Sequence, residues 1–275
     1  MKISLVMATV GRVSIVGELL ESLKKQTYQN FELIVVDQNI DERLSEIICE
    51  YGECMIIKHV KSNPGLSKAR NVGLRHVSGD IIAFPDDDCS YDIDTLEKVV
   101  SYFEKNRNYD FLSGICLDEF DNIIINKFEY GEFKLNKINA LTHVTSATLF
   151  VKKKVLEEVS TFDEALGAGA GTIYGAGEDT DFALRSMAEG FMGVYTSEII
   201  VRHPNPILAY DSNSYRRAEL YSAGYTKLLK KHRYSLKLKI KAIVRPLGGC
   251  LVHLAKPKKS IYYFYTLKGR IKGLM

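Results

Sequence analysis

Three features of the chain predict an α/β fold built on a parallel sheet with helices on both faces. Its 275 residues, 46% of them hydrophobic, suffice for one large α/β domain with an appendage, or for two small domains. The apolar runs of its N-terminal part are nearly continuous rather than alternating, as strands buried on both faces require. Stretches with helical spacing separate those runs, which gives a β-α-β-α-β-α-β order.

Lys2 to Ala8 reads as the first buried strand, and Val16, Leu19, Leu20 and Leu23 mark one face of the helix that follows. Phe31 to Val36 is the second strand and ends in Asp37. Leu44, Ile47, Ile48 and Tyr51 give the next helical stripe, and Met55 to Val60 the third strand. Asn63 and Pro64 signal an N-cap and first turn for a helix reaching about Val77. Gly79-Asp80 then turns the chain into Ile81-Ile82-Ala83-Phe84, which Pro85 ends. A helix from about Ile93 to Asn106, a strand from Asp110 to Leu117, a hairpin near Asn122 and a strand from Ser146 to Val151 follow. A glycine-rich segment precedes a helix from Glu178 to about Glu189, and the strand Ile199-Ile200-Val201 leads to His203. Ligands of open sheets lie beyond the carboxyl ends of the strands, where Asp37 and Asp86 fall.

Asp86-Asp87-Asp88 is the strongest chemical signal. Three like charges in a row repel and ask for a cation. Successive side chains of an extended segment alternate, so Asp86 and Asp88 face one way and Asp87 the other. Such a pair of hard oxygens suits Mg²⁺ or Mn²⁺ rather than zinc; a solvated acidic turn is the alternative for the triplet alone. Asp87, turned away, is expected to tolerate substitution best. No Gly-x-Gly-x-x-Gly follows the first strand and no Gly-x-x-x-x-Gly-Lys occurs, which argues against dinucleotide and P-loop enzymes. Five cysteines without a Cys-x-x-Cys pair argue against a disulfide framework or structural zinc and suggest a reducing, cytoplasmic compartment. There is no cleavable signal pattern at the start and no apolar run long enough for a spanning helix.

The chain resembles the family 2 glycosyltransferases of GT-A fold over roughly residues 1 to 205. The resemblance rests on Ala-Thr-Val-Gly-Arg (8 to 12), Gln26-Thr27-Tyr28, Ile34-Val35-Val36-Asp37 and the run from Asn63-Pro64-Gly65 through Ala69-Arg70-Asn71. It continues through Phe84-Pro85-Asp86-Asp87-Asp88, Phe162-Asp163-Glu164 and Gly177-Glu178-Asp179-Thr180-Asp181. Order and spacing carry it, since each piece alone is weak.

The resemblance implies an Asp-x-Asp site in which Asp88 is a direct ligand of Mn²⁺ or Mg²⁺ and Asp86 a ribose or outer metal contact. His203 completes the metal shell in several relatives; a structural histidine is the other reading. Asp179 is implied as general base toward the acceptor hydroxyl, supported by Glu178. Carboxylates are in any case favoured in the first turn of a helix, whose positive end suits the ionised form. Asp37, Asn63 and Arg70 match nucleoside and phosphate contacts, with Thr9 beside the nucleobase. Gln38 stands where a second aspartate often follows Asp37, and UDP and dTDP donors remain open. Gly167, Gly169, Gly171, Gly175 and Gly177 read either as a lid that orders over the substrates or as a plain surface loop.

Charge divides the chain. Glu219 is the last acidic residue, and fourteen Lys or Arg follow, about +14 against about −11 for the remainder. The tail also carries Leu228-Leu229, Leu236-Leu238-Ile240 and Tyr262-Tyr263-Phe264-Tyr265, a composition suited to an anionic membrane surface; charge alone would also suit nucleic acid, against which the enzyme motifs argue. The expected organisation is a GT-A catalytic domain at 1–219, with a nucleotide-sugar half at 1–110 and an acceptor half at 111–219. A basic helical membrane-associating extension at 220–275 completes it. The expected activity is inverting, metal-dependent transfer from a nucleoside diphosphate sugar to a lipid-linked saccharide in polysaccharide assembly, peripheral at the inner face of the cell membrane. A sugar-nucleotide nucleotidyltransferase and a catalytically silent membrane scaffold are the rivals. The first lacks its glycine-rich phosphate loop, and the second is at odds with the intact Asp86, Asp88 and Asp179.

Overall fold

In the computed structural model, which describes residues 1–124, 129–205 and 209–275, strand β1 (Ile3–Thr9) is buried along its whole length. It pairs in parallel with β2 (Phe31–Asp37) on one side and with β4 (Ile81–Ala83) on the other; β3 (Ile57–Lys61) lies parallel to β2. The helices between them are α1 (Ser14–Lys24), α2 (Ser45–Gly52) and α3 (Leu66–Leu74). Beyond β4 the sheet is mixed. Its order is β3-β2-β1-β4-β8-β6-β9-β5, with β5 (Ser90–Tyr91), β6 (Phe111–Leu117), β8 (Leu149–Lys152) and β9 (Gly193–Arg202), while β7 (Glu132–Lys134) pairs with β9. Helices α4 (Thr95–Lys105), α5 (Ala140–His143) and α6 (Lys153–Val159) complete this part.

The periodicity reading of α1 holds residue for residue, because Val16, Leu19, Leu20 and Leu23 are its buried positions. Several boundaries differ. Helix α3 starts at Leu66, not at the Asn63-Pro64 signal, since Gly65 (φ +128°) intervenes in a conformation that a helix cannot contain. Ser146 to Thr148 forms a 3₁₀ turn, so β8 starts three residues after the expected strand. Near Asn122 the Asp118 carboxylate accepts the Phe120 and Asn122 amides in a turn closed by a Leu117–Ile123 bridge; residues 125–128 lie outside the described ones. Helix α3 lies so close to the sheet that a Cβ at Gly73 would stand 2.4 Å from Val6 and 2.8 Å from Val36.

The chain divides into two compact units. Among the described residues all nine strands belong to unit 1 (Met1–Pro64, Lys68–Phe162, Phe182–Asn205), while unit 2 comprises Gly65–Ser67, Asp163–Asp181 and Pro206–Met275. In unit 2 lie α8 (Ser212–Lys231), α9 (Leu236–Val252) and α10 (Pro257–Leu274). Asp211 and Ser214 form a capping box at the start of α8. Helix α10 meets α8 at backbone distance, for a Cβ at Gly269 would fall 2.0 Å from the Glu219 carbonyl and one at Gly273 2.2 Å from that of Ala223. Arg270 of α10 stacks 4.8 Å over Tyr225 of α8 and donates to the Ala242 carbonyl of α9 at 2.9 Å. The charge boundary at 219/220 thus falls inside one continuous helix, because the loss of acidic residues is a change of composition and not of fold.

Unit 1 is tied at the amino ends of its strands by Glu32. Its carboxylate accepts from Lys2 Nζ (2.7 Å), the Ser78 amide (2.7 Å) and the Ser4 hydroxyl. Burial alone would raise this carboxyl, but the hydrogen bonds outweigh it and hold it at about 2, below its ordinary 4.5. A depressed carboxyl stabilises the fold in full above its unfolded value and loses that stabilisation as pH falls through the folded one. Glu32→Gln should therefore lower unfolding stability by about 1–2 kcal/mol at neutral pH. The gap to the wild type, followed by urea melts, should close between pH 4.5 and pH 2.

Candidate active site

The predicted site residues fall in both units. In unit 1 the strand register aligns the carboxyl ends, pairing Thr9 with Asp37, Asp37 with Lys61 and Ala8 with Asp86. This row is where an open α/β sheet binds ligands. Asp37 is fully buried. Its Oδ1 accepts the Asn39 amide (2.8 Å) and side chain (2.7 Å), and its Oδ2 accepts Lys61 Nζ (2.9 Å) and His59 Nε2 (3.0 Å). Burial would raise the Asp37 carboxyl, and these four donors outweigh it and lower it. Gln38 donates its amide to the Thr9 carbonyl at 3.0 Å. Asn63 is exposed on the loop after β3, where its carbonyl accepts the Ser62 hydroxyl at 3.0 Å.

Each carboxylate of the triplet faces its own cation. Asp86 accepts Arg70 (2.9 Å) and the Ser146 hydroxyl (3.4 Å), and Arg70 is 1% exposed with its guanidinium 5.5 Å over Phe162. Asn71 fixes that ring by exchanging two hydrogen bonds with the Phe162 backbone, at 2.8 and 3.0 Å. Phe84 and Phe182 pack edge-on and stacked against Phe162, both at 4.9 Å between centroids. Asp88 pairs with Arg12 at 2.7 Å through one oxygen and with His203 Nε2 at 3.1 Å through the other. Burial would raise the Asp88 carboxyl, but His203 and Arg12 hold it at about 2.

Asp87 corrects the sequence reading. Asp86 to Cys89 form a turn, the Cys89 amide donating to the Asp86 carbonyl at 3.2 Å, so the extended alternation does not hold: Asp87 and Asp88 share Arg12 Nη1, while Asp86 faces Arg70. Asp87 is interior, 8% exposed, accepting the Thr9 hydroxyl at 2.6 Å and pairing with Arg12 at 2.7 Å. Burial is the largest influence and raises its carboxyl. Arg12 itself, quoted within the Ala8–Arg12 segment, was given no role, and its reach to two carboxylates is not visible in a sequence. His59 and Lys61 were likewise unassigned; their alignment with Asp37 becomes legible only once the strand register is known.

The donor set at Asp88 and His203 fits a hard divalent cation. His203 Nδ1 lies 2.8 Å from the Pro204 carbonyl, which can only accept, so Nδ1 carries a proton; Nε2 faces Asp88, to which it donates as imidazolium and beside which it can ligate a metal once neutral. An imidazole oriented in this way by a carbonyl is the usual arrangement of a metal-ligating histidine. Among the described residues no three metal-ligating side chains converge, which leaves the remaining positions to phosphate oxygens and water, as Mg²⁺-type sites do.

In unit 2 the first turn of α7 (Glu178–Ala188) carries Glu178, Asp179 and Asp181. Glu178 is buried, and its carboxylate stands where a Cβ at Gly167 (φ +102°) would come within 3.1 Å of it. Asp179 is half-buried and accepts the Thr180 amide at 2.6 Å. Asp181, fully buried, accepts His232 Nε2 (2.8 Å) and Lys231 Nζ (2.8 Å); the same lysine reaches Asp163 at 2.7 Å. The glycine segment is held by bonds from Gly167 to Tyr174 (2.9 Å), Leu66 to Ala168 (2.9 Å) and Gly175 to Leu220 (3.1 Å).

Residues 4–159, more than half of the chain, match the family described as glycosyl transferase family 2. The chain belongs to that family. The minor teichoic acid biosynthesis protein GgaB of Bacillus subtilis is 32% identical over 171 residues, covering 54% of this chain and 17% of the relative. The mannosyltransferase PcManGT from Pyrobaculum calidifontis, solved in complex with GDP-Man and Mn²⁺, superposes with a TM-score of 0.64 at 17% identity, covering 99% of this chain and 87% of that one. Staphylococcus aureus TarS 1–349 in complex with UDP-GlcNAc gives a TM-score of 0.62 at 19% identity, covering 99% and 92%. These likenesses establish the GT-A fold. The chain spans between 15% and 62% of the length of four curated relatives, each named an uncharacterized glycosyltransferase.

Asp87→Ala leaves the Thr9 hydroxyl and one of the Arg12 contacts without their acceptor. Its expected cost is about 1–3 kcal/mol of unfolding stability, measured by urea denaturation. A loss below about 0.5 kcal/mol, the range of ordinary surface changes, would restore the reading of Asp87 as the tolerant member.

Proposed function

We propose that this protein transfers a glycosyl group from a nucleoside diphosphate sugar to a saccharide hydroxyl with inversion. The observation that carries the reading is the Asp88–His203 pair at 3.1 Å, set among Arg12 and Arg70 beyond the end of β4 in a family 2 chain. Asp88 and His203 would hold Mn²⁺ or Mg²⁺, with Asp86 as an outer contact, and the ion when bound would neutralise charge on the diphosphate. Arg70 keeps Asp86 in place, and Arg12 adds positive charge beside Asp88. Thr9, Asp37, Gln38 and Asn63 are proposed to line the nucleoside end. Asp37 acts there chiefly by holding His59 and Lys61 in position, since all four of its acceptor directions are taken.

Asp179 takes the proton of the acceptor hydroxyl, whose oxygen attacks the anomeric carbon from the face opposite the diphosphate. The new bond to oxygen forms as the sugar–phosphate bond breaks, and the nucleoside diphosphate departs with the bonding pair. Glu178 keeps the base in place. A UDP or dTDP sugar is the proposed donor; the UDP-GlcNAc bound by TarS is consistent with it. A lipid-linked saccharide of polysaccharide assembly at the inner membrane face is the proposed acceptor. The name of GgaB and the basic tail support that choice. A nucleotidyltransferase would instead consume a nucleoside triphosphate and release pyrophosphate.

Asp179→Asn should lower turnover by roughly 10²–10⁴-fold with donor affinity kept within a few fold, as read by product formation and calorimetry. Turnover near that of the wild type would remove Asp179 from the base role. Asp88→Ala should abolish the Mn²⁺-dependent part of donor binding. Chelator treatment of the wild type should match it, and an Asp88→Ala titration that still responds to Mn²⁺ would exclude Asp88 as a ligand.

A further inference from the structure

Helix α9 carries an apolar stripe on its outer side. Its inward positions are Ala242 and Pro246, the two residues of the helix that are buried. Leu236, Ile240, Val244, Leu247 and Leu251 are between 45% and 71% exposed. At helical spacing these five fall within an arc of about 80°, well away from the direction of Ala242 and Pro246. Leu254, in the turn before α10, extends the stripe with 69% exposure. Monomeric soluble proteins rarely leave so many large aliphatic side chains together in water.

The charges beside the stripe say what covers it. Lys237, Lys239, Lys241 and Arg245 lie on α9, and no carboxylate occurs in the sequence after Glu219, which is itself taken by Lys268 and Lys272 at 3.1 and 2.6 Å. A second copy packed through α9 would bring two sets of these cations together with no anion between them. A bilayer surface with anionic headgroups offers apolar depth and negative charge at once. The aromatic run of α10 plays a different part. Tyr265 stacks on Tyr215 at 5.5 Å and Tyr263 on His253 at 5.3 Å, so these rings serve packing within the unit.

We propose that α9 lies in the plane of an anionic membrane, with the Leu236–Leu251 stripe sunk into the headgroup boundary and Lys237, Lys239 and Lys241, which flank it at helical spacing, at headgroup level. The proposal rests on the reading of the basic tail as membrane-facing and narrows it to one helix face. Sedimentation of the full chain with phosphatidylcholine vesicles containing one quarter phosphatidylglycerol tests it. Binding should be at least tenfold tighter than to phosphatidylcholine alone. It should fall at least tenfold in the variant carrying both Ile240→Asp and Leu247→Asp, with an unchanged thermal melt because both positions are exposed. The chain has no tryptophan, so Leu247→Trp supplies a clean probe whose emission should shift to the blue on the anionic vesicles. Equal vesicle binding by the double variant and the wild type would overturn the α9 face while leaving a membrane-facing tail intact. Failure of the wild type to bind would overturn both. A wild-type dimer that the double variant disperses would assign the stripe to a second copy instead. Metal-dependent hydrolysis of the donor in solution, measured in parallel, tests the transferase reading separately.

Discussion

Three consecutive carboxylates at the end of a buried strand impose the condition that the rest of unit 1 meets. Charges placed this close in a partly dry environment repel strongly, and each must find a cation or become neutral. The fold supplies three from distant parts of the sequence: Arg70 from α3 for Asp86, Arg12 from the loop after β1 for Asp87 and Asp88, and His203 from the end of β9 for Asp88. Bringing β1, α3 and β9 to one place is the work of the sheet. Its register sets Ala8 beside Asp86 and hands the row on to Thr9 and Asp37. Arg70 shows how tightly the arrangement is specified. A guanidinium that is 1% exposed must be stacked and paired, and the Phe84–Phe162–Phe182 cluster with the Asn71 clamp provides the stacking.

The same logic governs unit 2 with the signs arranged differently. Asp181 is buried two residues after Asp179 and is held by Lys231 and His232, both at the end of α8. A buried carboxylate stripped of its partners is costly, so the first turn of α7 depends on the C-terminal helices for its charge balance. Residues counted in the basic excess therefore have distinct tasks. Lys231, Lys268 and Lys272 pair with Asp163, Asp181 and Glu219, and Arg270 is buried and stacked on Tyr225, with its proton affinity lowered by desolvation.

Local pattern made much of the fold legible. The apolar stripe of α1, the parallel β1–β4 half and the position of Asp86 at a strand end all follow from periodicity, and periodicity reports on burial within one element. Strands of two or three residues such as β5 and β7 carry too few positions for a period, and they exist because β9 offers a pairing edge. Pro64 suggested a helix start that Gly65, at φ +128°, postpones. In the site, residue types and spacing pointed to Asp86 and Asp88, and the resemblance to His203 and Asp179. Arg12, His59 and Lys61 stayed hidden because their meaning lies in what stands opposite them across the sheet. Asp87 differs from its reading because a turn and not an extended strand carries the triplet, and because only packing states whether the side a residue faces is wet.

The tail shows the limit of composition from another direction. Fourteen cations and an aromatic cluster suggested one membrane-facing surface, and the folded helices separate them into two populations. Cations with a carboxylate within reach are spent inside the unit, and tyrosines that face α8 or His253 become packing groups. On α9, Lys237, Lys239, Lys241 and Arg245 share one helix with exposed aliphatic side chains, and among the described residues no ion pair is formed by them. A helix whose apolar residues were only a core face would bury them, and α9 buries Ala242 and Pro246 instead. The informative quantity is therefore not how basic or how apolar the segment is. It is the mismatch between what α9 could bury and what the fold makes it bury.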